Sequence, residues 1–337
     1  MLLAAPLDTQ LDNSFPVAHG QLILGYEYSD TAIDVLHLRA NDNVVGDYSG
    51  VRLEGALRVS DNGQVSLRYW QRQMHAASFD AEIQSGQLSY QYRWIDAGVW
   101  QLSWRLGVWG NTADQLQKTS NTRINGVVIT QAAVEQPQDM QVQADAIISV
   151  PWSPAVMWSA ALSTGYSRVD FDQVTAQRRY RGCLYDMHFN DTAYIVTLAE
   201  TCERNKQLVT RYVEPNTVSG IYIDQEMRYD AIFYQFSSNV QGRWRDWQWL
   251  LGYQYLYIDR DAVDQIIAQR GQDAVKDNHI VMAKIGYWLP YQLQPFIGLQ
   301  YMRKQFNGEI PLSYNSVTAS KFDQPYAMLH LGIAWAF

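Results

Sequence analysis

The side chains best placed to do chemistry are cations that recur at every second position of short apolar segments. Arg52, Glu54 and Arg58 alternate with Val51, Leu53, Leu57 and Val59. Arg68 lies between Leu67 and Tyr69, Arg72 keeps its parity, Arg93 lies between Tyr92 and Trp94, and Arg105 between Trp104 and Leu106. Lys284 sits between Ala283 and Ile285, and Lys304 ends another such segment. Three carboxylates, Glu27, Glu54 and Asp145, share these positions with the eight cations. Cations gathered on one face of adjacent segments either line a path for anions or close on carboxylates to fill a narrow interior. The sequence leaves both open, with Glu27 and Glu54 as the candidate partners.

Catalytic chemistry finds less support. No Ser/His pair is spaced one strand step apart. His330 has Gly332 two residues on, where a barrel phospholipase carries its second active residue. Asp259 and Asp261 flank Arg260 and read as the solvated start of a loop, with a protease-like or calcium-binding pair as the alternative. His19, His37, His75, His188 and His279 are scattered, which suits structural or solvated roles. No Cys/His spacing, phosphate-binding glycine loop or nucleotide motif is present, so neither metal nor cofactor is expected, and the chain is not expected to be an enzyme. A formal charge of −8 argues against nucleic acid as a partner.

What must position these side chains is a strand, because period-two alternation puts one set of residues on each face. The pattern recurs in segments of about ten residues, the length of a tilted strand that crosses a bilayer. Hydrophobic residues make up 47% of the 337-residue chain, with 22 Tyr and 12 Trp. Mean hydropathy is nonetheless −0.28. No apolar run reaches the roughly 18 residues of a membrane helix. No internal repeat is apparent.

The last segment shows the pattern most plainly. Ala327, Leu329, Leu331, Ile333, Trp335 and Phe337 share one face, while Met328, His330, Gly332, Ala334 and Ala336 share the other. An apolar face that stops on a terminal aromatic resembles the last strand of bacterial outer-membrane proteins. The resemblance implies that Trp335 and Phe337 serve as a signal to the barrel-assembly machinery. Eleven further segments of the same kind bring the total to twelve.

The connections between them alternate in length. Tight ones lie at Asp61-Asn62-Gly63, Ile95 to Gly98, Pro151 to Pro154, Arg243 to Asp246 and Leu289 to Gln294; longer ones span roughly 29–47, 75–81, 110–137, 170–226, 259–277 and 305–323. Twelve strands with both ends on one side need five connections there and six opposite, so the arithmetic closes. Short turns then face the periplasm and long loops the exterior, and Trp and Tyr gathered beside the tight turns form an aromatic girdle. The expected fold is all-β: one membrane-spanning antiparallel up-and-down β-barrel domain over 1–337, of which 1–16 is an N-terminal periplasmic segment.

The external loop 170–226 is the largest. It holds Arg178-Arg179-Tyr180-Arg181 and both cysteines, and Thr192 to Val213 is read as a hairpin or a short helix. Cys183 and Cys202 are expected to form a disulfide, given an oxidising compartment. Asp261 to Asp273 carries apolar residues at helical spacing and is expected to cap a loop.

These readings point to an outer-membrane channel for small polar or anionic solutes through a lumen lined by Arg and Lys. The architecture resembles twelve-stranded channels for acidic oligosaccharides. The expected partners are outer-membrane lipid and lipopolysaccharide, the assembly machinery, a small anionic solute, and a protein at the long loops. A surface adhesin or scaffold is the alternative, and a hydrolase at the rim a more distant one.

Overall fold

The computed structural model describes residues 19–29, 47–76, 79–118, 122–124, 127–180, 183–190, 192–199, 210–215, 223–304, 308, 310–316 and 318–337. The expected periplasmic segment 1–16 lies outside them, as do Cys202 and Arg181. In chain order the strands are β1 (Gly20–Ser29), β2 (Asp47–Arg58), β3 (Gly63–Ala76), β4 (Phe79–Asp96), β5 (Gln101–Ala113), β6 (Gln115–Lys118), β7 (Thr122–Ile124), β8 (Val127–Glu135), β9 (Gln138–Ser153), β10 (Val156–Asp170), β11 (Gln173–Tyr180), β12 (Cys183–Phe189), β13 (Ala193–Leu198), β14 (Arg211–Pro215), β15 (Tyr229–Trp244), β16 (Trp247–Asp259), β17 (Asp277–Tyr287), β18 (Leu293–Met302) and β19 (Tyr326–Ala336). Among the described residues two α-helices, α1 (Ile223–Met227) and α2 (Asp261–Gln269), follow β14 and β16.

Twelve strands form the wall: β1 to β5, β9, β10 and β15 to β19, each antiparallel to its neighbours. The wall is closed, because β1 pairs with β2 on one side and with β19 on the other, from Gln21↔Ala336 to Tyr28↔Leu329. Closure leaves no free edge, which lipid would not tolerate because it offers no partner to a bare N–H or C=O. The seam ends on two bonds, Gly20 N–H to the Phe337 carbonyl at 2.9 Å and Phe337 N–H to the Gly20 carbonyl at 3.0 Å. The Phe337 ring lies over Gly20 so closely that a Cβ there would meet it at 2.6 Å.

Alternation decides which way each residue points. Leu53 and Leu67 are 51% and 61% exposed on the outside, whereas Arg52 and Arg68 between the same neighbours are 1% and 5% exposed. The five tight connections form as expected. Arg245, Tyr291 and Gly98 take positive φ in three of them. Among the described residues the connection 75–81 differs from expectation: β3 and β4 stay paired out to Ala76↔Phe79, on lengthened strands.

Two loops build structure of their own. β6 and β8 from the loop after β5 join β11 to β14 from the loop after β10, in the order β6-β8-β11-β12-β13-β14. Val174, Met187, Phe189, Tyr194 and Val196 form a buried core within this sheet. Between Thr192 and Val213 the described residues are the paired strands β13 and β14, so the hairpin reading holds. Cys183 is disulfide-bonded.

A further loop turns inward. Ile310, Leu312, Tyr314, Ala319 and Phe322 pack among the buried ends of the wall strands, against Trp109, Phe233, Ile258, Met302 and Met328. Helix α2 contributes Val263 and Ile267, both fully buried, so the expected surface cap is packed into this plug. The interior is therefore mixed: buried polar groups run along the wall from β1 to β9, and an apolar plug fills the outer end. The expectation of a polar face throughout fails because apolar residues such as Ile258, Ile280 and Met302 also point inward.

Removing Phe337 deletes both seam bonds and uncovers Gly20. The fraction of heat-modifiable, folded barrel recovered from membranes is expected to fall severalfold, and Gly20→Val is expected to do the same with Phe337 still present. Gel mobility with and without boiling checks both.

Candidate functional site

The interior is the candidate site, and its chemistry is set by how the predicted cations are partnered. Arg52, Arg68, Arg72 and Arg105 are all 5% exposed or less. Arg52 bridges Glu54 at 2.6 Å and Glu27 at 3.4 Å, and Arg68 meets the other oxygen of Glu54 at 3.1 Å. Tyr48 donates its hydroxyl to Glu27 at 2.7 Å, and His330 Nδ1 lies 3.5 Å from the same carboxylate. Arg105 donates to Asp145 at 2.7 Å, and Gln143 donates to the other oxygen of Asp145 at 2.5 Å.

Arg72 belongs to a second group. Its guanidinium donates to Asn111 at 2.6 Å and also to Ser85. Asn111 in turn donates to both oxygens of Asp139 at 2.9 Å, and Gln141 adds a bond at 3.2 Å. Asp139 is a buried carboxylate that the sequence reading did not include. It shares the inward parity of Gln141, Gln143 and Asp145, and extending β9 by one residue past Met140 would have found it. With Asp139 counted, four buried cations, Arg52, Arg68, Arg72 and Arg105, face four buried carboxylates, Glu27, Glu54, Asp139 and Asp145.

The other predicted residues do not join this lattice. Arg58 donates to the carbonyls of Ser60 and Asp61 at 3.2 and 3.0 Å, and Arg93 to Asp61 and Asn62 at 3.1 Å, so both tie down the β2–β3 turn. Lys284 lies over the Phe296 ring at 4.4 Å. Lys304 pairs with Asp323 at the opposite end. The eight cations thus divide into a buried lattice, a turn clasp and two separate lysines.

Below the lattice is a cavity of about 1270 Å³ at the end bearing the tight turns. Gln64, Arg68, Gln248, Lys284 and Gln294 face it, with Trp249 and Phe337 at its margin. Above the lattice the plug is fastened at several points. Leu312 N–H donates to Asp139 at 3.3 Å, and Tyr229 donates to the Pro311 carbonyl at 2.8 Å. Ser316 donates to Glu226 of α1 at 2.9 Å, and Arg270, just after α2, donates to Glu226 at 2.7 Å. The Arg260 guanidinium stacks 3.8 Å from the Tyr314 ring centroid, and Tyr314 accepts the Val275 N–H at 3.0 Å. Burial pushes the Tyr314 phenol and the Asp264 carboxyl above their ordinary pKa values, with Arg260 opposing the shift in each case. Asp259, one of the paired acids, holds Lys276 at 2.7 Å at the strand end.

A closed twelve-stranded barrel with a girdled apolar exterior and a polar interior is the architecture of outer-membrane β-barrel proteins, and this chain is one. Among solved structures it is similar to the translocator domain of the autotransporter NalP from Neisseria meningitidis, at 8% identity and a TM-score of 0.53, covering 95% of this chain and 89% of that one. Other similar structures are LpxR from Salmonella typhimurium, at 11% identity and 0.46, covering 94% and 100%, and the KdgM porin, at 8% and 0.37, covering 94% and 99%. At these identities the likeness extends to the fold. No family model matches the chain, and no curated protein matches it.

The lattice makes a stability prediction. Asp145→Ala strips Arg105 of its carboxylate in a buried setting and is expected to cost about 3–5 kcal/mol, while Asp145→Leu with Arg105→Met recovers most of it. Urea unfolding followed by heat-modifiability measures both. A loss below about 1 kcal/mol for the single variant would mark the pair as solvated and the interior as wet.

Proposed function

We propose that this chain is an outer-membrane channel of the porin type whose path is shut on its outer side by the loop segment 310–322. The observation that carries the reading is the division of the interior. A cavity lined by both polar and apolar side chains opens beside the periplasmic turns, and above it Ile310, Leu312, Tyr314, Ala319 and Phe322 of a loop pack against inward apolar side chains of the wall strands. The wall ladder does not run through that stopper, so the plug can leave without breaking a wall bond. Solutes are small and polar. The anion preference expected of the Arg residues is reduced, since the lattice carries four charges of each sign and Arg68 at the cavity is paired with Glu54; what remains rests on Lys284 and Arg243 against Asp246.

A second reading has its own support. The sheet of β6, β8 and β11 to β14 has a separate buried core and projects from the wall, as a surface for docking a partner would. On that reading the plugged lumen is permanent filling. Terminal residues Trp335 and Phe337 serve assembly on either reading.

Conductance separates the two. Wild-type protein in a planar bilayer is expected to pass little current. Replacing 311–322 by a short Gly-Ser linker is expected to raise single-channel conductance at least tenfold, with a mild preference for anions. That preference should fade with salt, because the Debye length falls from about 10 Å at 0.1 M to about 3 Å at 1 M. A folded, plug-less barrel that stays silent would favour the docking reading.

A further inference from the structure

The outer wall of a barrel is apolar between its girdles. Along β17 the outward positions descend from Asp277 and His279 to Val281, Ala283 and Ile285. The two polar residues stand at the end nearest the external loops. His279 faces Tyr255 across the β16–β17 ladder, and Tyr253 is its diagonal neighbour. Tyr253 Oη lies 2.8 Å from His279 Nδ1, and Asp277 Oδ2 lies 3.6 Å from Nε2. The Tyr255 ring packs on the imidazole with centroids 5.1 Å apart, which restrains its rotation. All three polar groups are reachable: Tyr253 is 37% exposed, and the side chains of His279 and Asp277 are 35% and 39% exposed.

The donor and acceptor chemistry assigns roles. A carboxylate only accepts, so the tautomer with hydrogen on Nε2 serves Asp277 and leaves Nδ1 to accept the Tyr253 O–H. Hydroxyl, imidazole and carboxylate then stand in the order of nucleophile, base and orienting acid. The longer Asp277 contact is of the kind that tightens when a substrate is bound.

We propose that Tyr253, His279 and Asp277 form an acyl-accepting site on the outer wall, acting on carboxylic esters of outer-leaflet amphiphiles. Tyr253 Oη attacks the ester carbonyl carbon while its proton passes to His279 Nδ1. The bond from that carbon to the alcohol oxygen breaks, and His279 returns the proton to the departing oxygen. The products are an aryl ester on Tyr253 and a free alcohol. Water then attacks the aryl ester with His279 as base, which releases the carboxylic acid and restores the phenol. Location selects the substrate: Val281, Leu251 and Ala283 below the site offer an apolar wall to an acyl chain, while the head group lies level with Asp277.

The test uses the folded barrel in phosphatidylcholine vesicles carrying 4-nitrophenyl palmitate. Release of nitrophenol and mass analysis of the Tyr253 peptide are the readouts. Palmitate on Tyr253, at no more than one group per chain, is expected as an intermediate, with nitrophenol release continuing past one equivalent. Tyr253→Phe should abolish it, and His279→Gln should slow it about 100-fold. Asp277→Asn should slow it less and alter its pH profile. All three variants should stay heat-modifiable, since the residues lie on the exposed face. Acylation elsewhere, an equal rate in Tyr253→Phe, or no acylation of the wild type would overturn the proposal. None of these readouts depends on conductance, so the outcome is independent of the channel reading.

Discussion

Everything in this fold follows from one requirement: a backbone in lipid must satisfy its own hydrogen bonds. Twelve paired strands meet it only if the last returns to the first, and here β19 does so through eight register pairs and two terminal bonds at Gly20 and Phe337. Once the wall is closed, each strand has a lipid face and an interior face with no freedom to exchange them. A slip of one residue would turn Arg52 or Arg68 into hydrocarbon, at about 2–4 kcal/mol for each such cation. The cost of misplacing charge therefore fixes register along the wall, and the same charges must then be accommodated inside.

Inside, burial decides what a charge can do. A cation facing bulk water steers solutes, but one that is 5% exposed or less must first be neutralised. Glu27, Glu54, Asp139 and Asp145 do this for the four buried arginines, and Asn111 and Gln143 take up further bonding capacity. The result stiffens one side of the barrel between β1 and β9. It also links the wall to the plug, because Asp139 accepts from Asn111 on β5 and from the Leu312 backbone at once.

The sequence discloses the wall almost completely and the interior only by half. Strand number, turn positions and the orientation of Leu53 against Arg52 follow from period two and from residues such as Asn62 and Gly98. The lengthening of β3 and β4 past His75 is hidden because the apolar-polar alternation lapses at Ala76-Ala77-Ser78 while the ladder continues. The plug was hidden for a different reason. Ile310, Leu312 and Tyr314 alternate too briefly to read as a strand and Phe322 stands apart, so nothing in the sequence says whether they face inward or outward. Pairing is equally silent. Parity puts Arg72 and Asp139 in the interior, yet nothing local says that Asn111 joins them across three strands. His279 was read as one of several scattered histidines because its partner Tyr253 is 26 residues away and meets it only through the register of β16 and β17.

The two faces of the wall carry chemistry that cannot interfere. Tyr253 and His279 project outward, while Gln254 and Asn278, their chain neighbours, are buried inward. A substitution at one parity leaves the other in place, since both hang from a backbone held by the same ladder. The loops have no such restriction. The segment 310–322 is held by side-chain and single backbone contacts to Asp139, Tyr229, Glu226 and Arg260, each worth about 1–3 kcal/mol at most, and by the burial of its apolar side chains. The wall is held by a continuous ladder. On the channel reading proposed above, opening begins in the plug, and the cavity beneath it is the part of the path already built.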